Sequence, residues 1–284
     1  MKRLIILAAT LIAGLSACDS LLDKEPLDRV TQFDYFKTRS DLELFSNPFY
    51  DNLLDKTPYD EQNDLLVQMT LSDVLYGGDK RTVPNTGGGW SWGNLRRINT
   101  LLEYVDQCED KKAVTEYTAL AKFFRAAFYF DKVKRFGDVP WYEQVIGSEE
   151  EELLKKPRED RGIIMDHVMN DLKNAIEMLP REKDVARVTR WSALALKSRI
   201  ALYEGTWRKY RNLPDADKYL QLAADAASTF ISESGYSLYK EGTEPYRDLF
   251  CSDDAKQEEV ILARIYNFEG LNLSHNVQFN IRNS

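Results

Sequence analysis

Residues 76–94 combine six glycines, a proline and two tryptophans directly before a predicted helix. Large aromatic side chains on a glycine-rich backbone are costly to leave in water unless they bury against something. A sugar ring has an apolar C–H face with hydroxyl groups around its edge, so it suits an indole flanked by hydrogen-bonding side chains. We therefore predict Trp90 and Trp92 as stacking platforms, with three polar ligand-binding partners, Asp79, Arg81 and Asn85.

Two other interpretations of this loop remain open. Trp90 and Trp92 could fold back to cover the neighbouring helices. Residues 89–93 also spell G-W-S-W-G, the pattern of a serine hydrolase elbow, and His275 lies downstream as that order requires. The elbow needs a buried strand before its serine, whereas Pro-Asn-Thr-Gly-Gly-Gly precedes Ser91. An esterase is therefore the less favoured alternative, and we expect no catalytic residues.

The sequence contains few residues spaced to bind a metal ion or a cofactor. The two histidines, His167 and His275, have neither a second histidine four residues on nor a cysteine pair. Four acidic residues near the C-terminus lack the glycine and ligand spacing of an EF-hand, although a calcium site stays open: Asp253, Asp254, Glu258 and Glu259. No phosphate-binding loop or dinucleotide fingerprint appears. We expect neither a metal nor a cofactor.

The N-terminus has the pattern of an exported lipoprotein. Lys2 and Arg3 precede an apolar run over residues 4–14, about half the length of a bilayer span. Leu-Ser-Ala-Cys, ending at Cys18, resembles the bacterial lipobox, in which the thiol carries a lipid. The pattern predicts a signal peptide over residues 1–17, lipid attachment at Cys18 and a polar tether over 18–37. The alternative is an uncleaved helix with an incidental cysteine.

Net charge restricts the classes of ligand that the protein could bind, and the cysteine content raises the question of a disulfide. Without Lys2 and Arg3 the chain has 36 basic and 46 acidic residues, a net charge of about −10. This balance argues against binding to nucleic acid and favours neutral ligands over polyanions. Cys108 and Cys251 could pair outside the cytoplasm, or they could be two free thiols. The sequence leaves that choice open.

Hydrophobic periodicity predicts a mostly helical protein. Leu95, Ile98 and Leu102 share one face of a helix that Asn94 could cap. Residues 117–136 are apolar nearly all round and should end at Gly137. Further stripes predict helices over three ranges, 161–179, 191–205 and 216–232. The charge-rich residues 147–161 are interpreted as a solvated linker.

These helices fall into two pairs, 117–136 with 161–179 and 191–205 with 216–232. A bulky aromatic early in a helix and small residues where helices cross are typical of tetratricopeptide-like units, and Trp191 and Ala195 fit those positions. A plain helical bundle would show similar stripes. We predict a helical domain over residues 38–235.

The segment 116–140, EYTALAKFFRAAFYFDKVKRFGDVP, resembles the signature helix of the SusD/RagB family. The match lies in Arg-Ala at 125–126, Tyr-Phe at 129–130 and Gly-Asp-Val-Pro at 137–140. Residues 18–26, 92–102 and 190–207 are also similar to family stretches, in the family's order. On a packed helix, Arg125 is more typical of a buried network than of ligand contact.

This resemblance implies a mainly α, SusD-like fold of tetratricopeptide-like pairs. It implies a lipid-anchored protein on the outer face of the outer membrane that binds oligosaccharide or sometimes peptide. The expected partner is a TonB-dependent, SusC-like barrel transporter, which receives the ligand. It also implies that the loop between the first helices contributes to the ligand site. The rival class is a lipid-anchored helical-repeat scaffold that binds only protein.

Residues 236–284 are predicted as the start of an incomplete second half. Residues 259–266 have the pattern of a strand, and Val277, Phe279 and Ile281 alternate with polar neighbours as a second strand. Family members continue for about as long again past the position of Ser284, and their ligand-bearing half would lie there. The chain is thus expected to be truncated, poorly packed after Tyr236, and a weak ligand binder by itself.

Overall fold

The computed structural model describes residues 35–54 and 87–266. Regular structure within these two ranges is helical, and the one extended pairing there is an isolated antiparallel bridge between Val139 and Glu159. The elements are α1 (Arg39–Ser46), a 3-10 turn (Asn47–Asn52), α2 (Gly93–Tyr104), a 3-10 turn (Val105–Gln107), α3 (Lys111–Phe136), α4 (Glu151–Leu154), α5 (Arg161–Met178), α6 (Arg190–Lys209), α7 (Ala216–Glu233) and α8 (Pro245–Cys251). The predicted mainly α fold is confirmed.

The central helix is α3, which is 26 residues long and buried on most sides. It begins six residues before the predicted start because the Asp110 carboxylate accepts hydrogen bonds from the backbone N–H groups of Lys112 and Ala113. It ends as predicted at Gly137, which has a φ of +72° and donates its N–H to the Val133 carbonyl. The helix end therefore turns the chain abruptly towards Pro140.

Helices α3 and α5 form the first antiparallel pair. Arg161 at the start of α5 donates to the Val133 carbonyl near the end of α3 at 3.4 Å. Farther along α5, Asp171 meets Arg125 on α3 at 2.6 and 2.9 Å, so the two helices run in opposite directions. The pairing predicted from the sequence is confirmed.

Helices α6 and α7 form the second pair. Ser198 donates to the Ala223 carbonyl at 3.0 Å, and Trp191 at the start of α6 contacts Phe230 near the end of α7. At the crossing, a Cβ on Gly205 would lie 2.8 Å from the Leu220 side chain. A small residue is required there, as a tetratricopeptide-like pair predicts.

Buried ion pairs lie both within the first helix pair and between the two helix pairs. Arg125 and Asp171 are 6% and 2% exposed. Glu204 on α6 is fully buried and accepts from Arg161 on α5 at 2.6 Å and from Arg208 at 2.7 Å. Such groups are strongly destabilising when one partner is removed, so these side chains are structural. Arg125 thus lies in a buried network, as expected.

The start of α2 corrects a prediction. Asn94 was expected to cap this helix, but Trp92 is the N-cap and no side chain caps the first turn. Gly93 already has helical backbone, so Asn94 lies inside the first turn and cannot reach the free N–H groups ahead of it. The glycine-rich loop therefore leads into the helix directly.

The segment after α7 also differs from expectation. Residues 259–266 form no strand, because the N–H of Val260 donates to Lys256 in a turn and Ala263 makes a single bond to the Val185 carbonyl. The strand expected at 277–281 lies outside the described residues. No side chain from 236 to 266 is fully buried.

Two further observations concern cysteines and membrane contact. Cys108 is buried and Cys251 is exposed, and both are free thiols. None of the helices within residues 35–54 and 87–266 has the length and hydropathy needed to span a bilayer. The predicted signal peptide, Cys18 and nearly all of the tether lie outside the described residues.

Candidate functional site

A pocket of about 490 Å³ opens between the start of α2 and the segment 140–158. One wall comes from the loop and helix at Trp90, Trp92, Arg96 and Asn99, and the facing wall includes Tyr142 and Arg158. Aromatic faces and a few convergent polar groups are typical of small-ligand sites. This pocket includes both tryptophans singled out from the sequence.

Trp90 lies at the rim of this pocket and is 39% exposed. Its loop is held against α3, because the Gly89 carbonyl accepts a hydrogen bond from Lys132. Gly89 has a φ of +82°, and a Cβ there would lie 3.0 Å from the Arg135 side chain, so glycine is required. Phe136 supports the indole at a ring-centroid distance of 4.8 Å. The loop thus presents Trp90 towards solvent from a rigid base.

Trp92 has a different environment. It is half-buried and contacts three aromatic rings besides Trp90, namely Phe128 at 5.7 Å, Tyr129 at 6.2 Å and Tyr142 at 5.7 Å. These edge and tilted contacts are typical of a packed aromatic cluster. Trp92 therefore covers the α2–α3 helix pair while one part of it lines the pocket.

Asn99, in the second turn of α2, lines the pocket and is 1% exposed. Its amide nitrogen donates to the carbonyl groups of Tyr142 and Gln144, each at 3.1 Å. Because both partners are carbonyl oxygens, the nitrogen of the Asn99 amide must face them, and its oxygen points the other way. The amide oxygen is buried and has no hydrogen-bond partner. This oxygen is closed off from solvent, so Asn99 contributes to the wall through its bonds to the Tyr142 and Gln144 carbonyl groups.

The facing wall, residues 139–158, includes much of the charge-rich stretch predicted to be solvated, and most of the residues from 147 to 160 are exposed as expected. The Trp141 N–H donates to Glu159 at 3.1 Å, and Lys156 donates to the Trp141 carbonyl while pairing with Glu159 at 2.6 Å. Tyr142 donates its hydroxyl to the Leu153 carbonyl at 2.9 Å. These bonds close the segment on itself and hold it in place as a wall of the pocket.

Two pKa shifts reflect this closure. Burial raises the pKa of Glu159, but hydrogen bonds from Lys156 and the Trp141 amide outweigh it, and the net pKa is lowered. Burial raises the pKa of the Tyr142 phenol. At neutral pH the wall therefore contains an ionised carboxylate, already paired, and a neutral phenol.

A second layer lies behind the pocket. The Trp141 indole stacks on His167 with centroids 4.5 Å apart and an interplanar angle of 9°. The Arg125 guanidinium lies 5.1 Å from the Trp141 ring. This layer connects the pocket wall to the buried Arg125–Asp171 pair, so the wall depends on the core for its position.

Sequence reasoning located part of this site. It named Trp90 and Trp92, but missed Asn99, Tyr142 and Arg158. A signal for Asn99 existed, since a polar side chain lies within the apolar stripe of α2 between Ile98 and Leu102. The predicted partners Asp79, Arg81 and Asn85, and likewise His275, lie outside the described residues.

The structure gives little support to a serine hydrolase site or to a metal site. Ser91 is an exposed loop residue, and a turn of positive-φ glycines precedes it in the part of the chain that the structure describes from residue 87 on. The hydrolase elbow would need a strand there. In the described ranges no three histidine, cysteine or acidic side chains form a group that could hold a metal ion.

A family model described as "Starch-binding associating with outer membrane", and named SusD-like, matches residues 90–202. Over this part, the chain is similar to the SusD-like family. The match includes Trp90, Trp92, Asn99, Tyr142 and Arg158, so the whole pocket lies within the SusD-like region.

Relatives extend the likeness over most of the chain. A SusD-like protein of Bacteroides ovatus is 23% identical over 92% of this chain and 49% of its own length. A SusD-like protein of Formosa agariphila is 23% identical over 90% of this chain and 50% of its own length. The SusD-like chain thus spans about half the length of the curated relatives it matches.

Solved structures show the same fold. A SusD-like protein from Bacteroides fragilis superposes with a TM-score of 0.61 at 23% identity, covering 82% of this chain and 46% of that one. A SusD homolog from Bacteroides thetaiotaomicron gives 0.60 at 19% identity, over 82% and 48%. A SusD-like carbohydrate binding protein from Bacteroides vulgatus gives 0.51 at 15% identity, over 72% and 47%.

Proposed function

We propose that this SusD-like protein binds carbohydrate in the pocket beside Trp90 and performs no catalysis. The observation that carries the proposal is the position of Trp90, 39% exposed on a rigid loop at the rim of a pocket of about 490 Å³. The exposed part of its ring can stack on the C–H face of a sugar, beside the Arg158 guanidinium that contacts the same ring. The pocket volume falls within the range of about 300–1,000 Å³ typical of small-ligand sites.

The pocket also has a place for sugar hydroxyl groups. The guanidinium groups of Arg96 and Arg158 line it and are exposed, and each can donate hydrogen bonds to hydroxyl oxygens. One stacking ring with hydrogen-bonding side chains beside it favours a carbohydrate over a purely apolar ligand.

The comparisons support the same class of ligand. The matching family is described by starch binding, and the Bacteroides vulgatus relative in fold is described as carbohydrate binding. The sequence of residues 1–18 supports a lipid anchor at Cys18, and the family description supports the outer membrane. We further propose that the ligand passes from this protein to a TonB-dependent barrel transporter.

The test is a glycan titration of the full chain, followed by the change in tryptophan fluorescence. Because the chain spans about half the length of its relatives, we expect weak binding, with a dissociation constant on the order of 1 mM. Trp90→Ala should weaken binding by about 1–3 kcal/mol. The matched control is Tyr246→Ala, which removes an exposed aromatic ring on α8, outside the pocket.

Two results would contradict the proposal. Equal weakening by Trp90→Ala and Tyr246→Ala would remove the pocket from the binding site. A folded protein that binds none of a broad glycan panel would favour the helical-repeat scaffold, which binds only protein. The handover is tested separately, by crosslinking the lipidated protein to a co-expressed barrel transporter.

A further inference from the structure

The pocket carries cationic side chains that no acidic neighbour neutralises. Arg96 and Arg158 both line it and both are exposed. In the part of the chain from residue 87 to 266, and in 35–54, neither guanidinium has a carboxylate within ion-pair distance. The whole chain has a net charge of −8, so two unpaired guanidinium groups on one pocket are a local reversal of its charge.

Arg158 is held with its donors unused. Its guanidinium carbon lies 4.8 Å from the centre of the Trp90 ring. This cation–π contact is the interaction of its guanidinium group within the described residues, and no hydrogen bond or ion pair there uses its N–H donors. Those donors match the two oxygens of a carboxylate, with which they form two parallel hydrogen bonds. Trp90 can therefore hold Arg158 ready for an anionic group beside the stacking surface.

Arg96 is on the same pocket from the other side. It lies one turn before Asn99 on α2, so both side chains are on one face of the helix. No side chain caps the N-terminus of this 12-residue helix, and Trp92 and Gly93 at that end also line the pocket. The positive end of the helix dipole adds to the charge of Arg96 there.

The acidic groups of the facing wall are already engaged. Glu159 pairs with Lys156 at 2.6 Å, so Lys156 is not an unpaired cation. Glu143 accepts from the Trp141 indole at 3.0 Å, and Glu150 accepts from the Gly147 amide at 2.7 Å. Each of these three carboxylates has its own donor, and Arg96 and Arg158, which line the pocket, remain for a ligand.

We propose that the carbohydrate bound here carries a carboxylate, as a uronic acid does. This inference rests on the carbohydrate-binding function proposed above and adds its charge. Arg158 and Arg96 bind the carboxylate, and the exposed part of the Trp90 ring lies against the same sugar. The negative net charge of the whole chain favours neutral ligands. The two arginines at the pocket outweigh it, because charges farther away than about 10 Å are largely screened at 0.1 M salt.

The test compares acidic trisaccharides with their own methyl esters, which keep the sugar skeleton and lose the charge. Trigalacturonate, trimannuronate and triglucuronate are each titrated against the full chain. At least one acid should bind about tenfold more tightly than its ester, as expected for a charged hydrogen-bonded pair near the surface. Raising the salt concentration from 50 to 500 mM should reduce that ratio. Sulfated galactobiose and galactobiose form a separate arm for sulfate.

Substitutions locate the charge recognition. Arg158→Gln and Arg96→Gln should each lower the acid-to-ester ratio by about fivefold or more, and Arg158→Lys should keep part of it because the charge stays and the fork is lost. Arg181→Gln, an exposed arginine outside the pocket, is the control and should leave the ratio unchanged. Both pocket arginines are exposed, so these variants should fold.

Every outcome decides between the alternatives. An acid preference that depends on the two arginines supports the inference. Esters that bind as well as acids, with binding still dependent on Trp90, would overturn the inference and leave the proposed function standing. A preference for sulfate alone would overturn the carboxylate assignment. Failure of all neutral and acidic sugars to bind would overturn both proposals.

Discussion

The buried pair Arg125–Asp171 gives a prediction of large effect. Burial lowers the pKa of the Arg125 guanidinium, but the hydrogen bonds and charge of Asp171 outweigh it and the pKa is raised, so Arg125 stays charged in the core. Asp171→Asn keeps the shape and removes the compensating charge. Arg125 is 6% exposed, so the lost pair should cost about 3–5 kcal/mol of stability. That corresponds to a fall in Tm on the order of 10 °C.

The assay is urea unfolding followed by circular dichroism at 222 nm. The double variant Arg125→Met/Asp171→Leu replaces both charges by apolar groups and should recover most of the loss. The control is Glu151→Gln, which breaks an exposed pair with Lys155 and should cost at most about 0.5 kcal/mol. A loss below about 1 kcal/mol for Asp171→Asn, or a double variant no more stable than the single one, would refute the reasoning.

Three further predictions concern packing, pH and anchoring. Gly205→Ala should destabilise the protein by about 1–3 kcal/mol, despite alanine's higher helix propensity, because its Cβ would meet Leu220 at 2.8 Å. The control is Gly93→Ala, which has no atom within 4 Å of its Cβ and should cause no such loss in the same denaturation assay. Burial raises the pKa of Tyr117 to about 12, so the stability that its neutral form contributes is present below about pH 10 and is lost as the pH rises through about 12. Thermal melts from pH 9 to 12, followed by phenolate absorbance at 295 nm, should show that ionisation accompanies unfolding. Ionisation of every tyrosine near pH 10 in the folded protein would contradict this. Cys18→Ser should leave a precursor about 17 residues heavier that takes up no palmitate analogue, and equal labelling of wild type and variant would rule out the anchor.

Much of the helical fold could be predicted from sequence because its signals are local. The apolar stripes of α3, α5, α6 and α7 recur with helical spacing, and Gly137 ends α3 where a residue with positive φ is needed. The errors arose where a distant contact decides the structure. Residues 259–266 alternate like a strand, but they lie against the helices and have no partner strand in the described ranges.

The site was predictable in part for the same reason. Trp90 and Trp92 are conspicuous within a glycine-rich loop, so composition was sufficient to find them. Tyr142 and Arg158 enter the pocket only because Glu159 binds the Trp141 amide and closes the intervening segment. Most of the charge run at residues 147–161 is exposed, as its composition indicates, but the bond that places it beside the pocket cannot be inferred from the sequence. The positive character of the pocket could not be inferred from a chain that is acidic as a whole.

The most direct test of the central claim is to follow the indole N–H signals of the five tryptophans by nuclear magnetic resonance during a glycan titration. Each tryptophan gives one signal, and substitution of Trp90 assigns the one of interest. Binding at the proposed pocket should shift the Trp90 signal most, the Trp92 signal less, and those of Trp191 and Trp207 little or not at all. Saturable shifts confined to Trp191 or Trp207, with Trp90 unchanged, would show that the ligand binds elsewhere and that the account of this pocket is wrong.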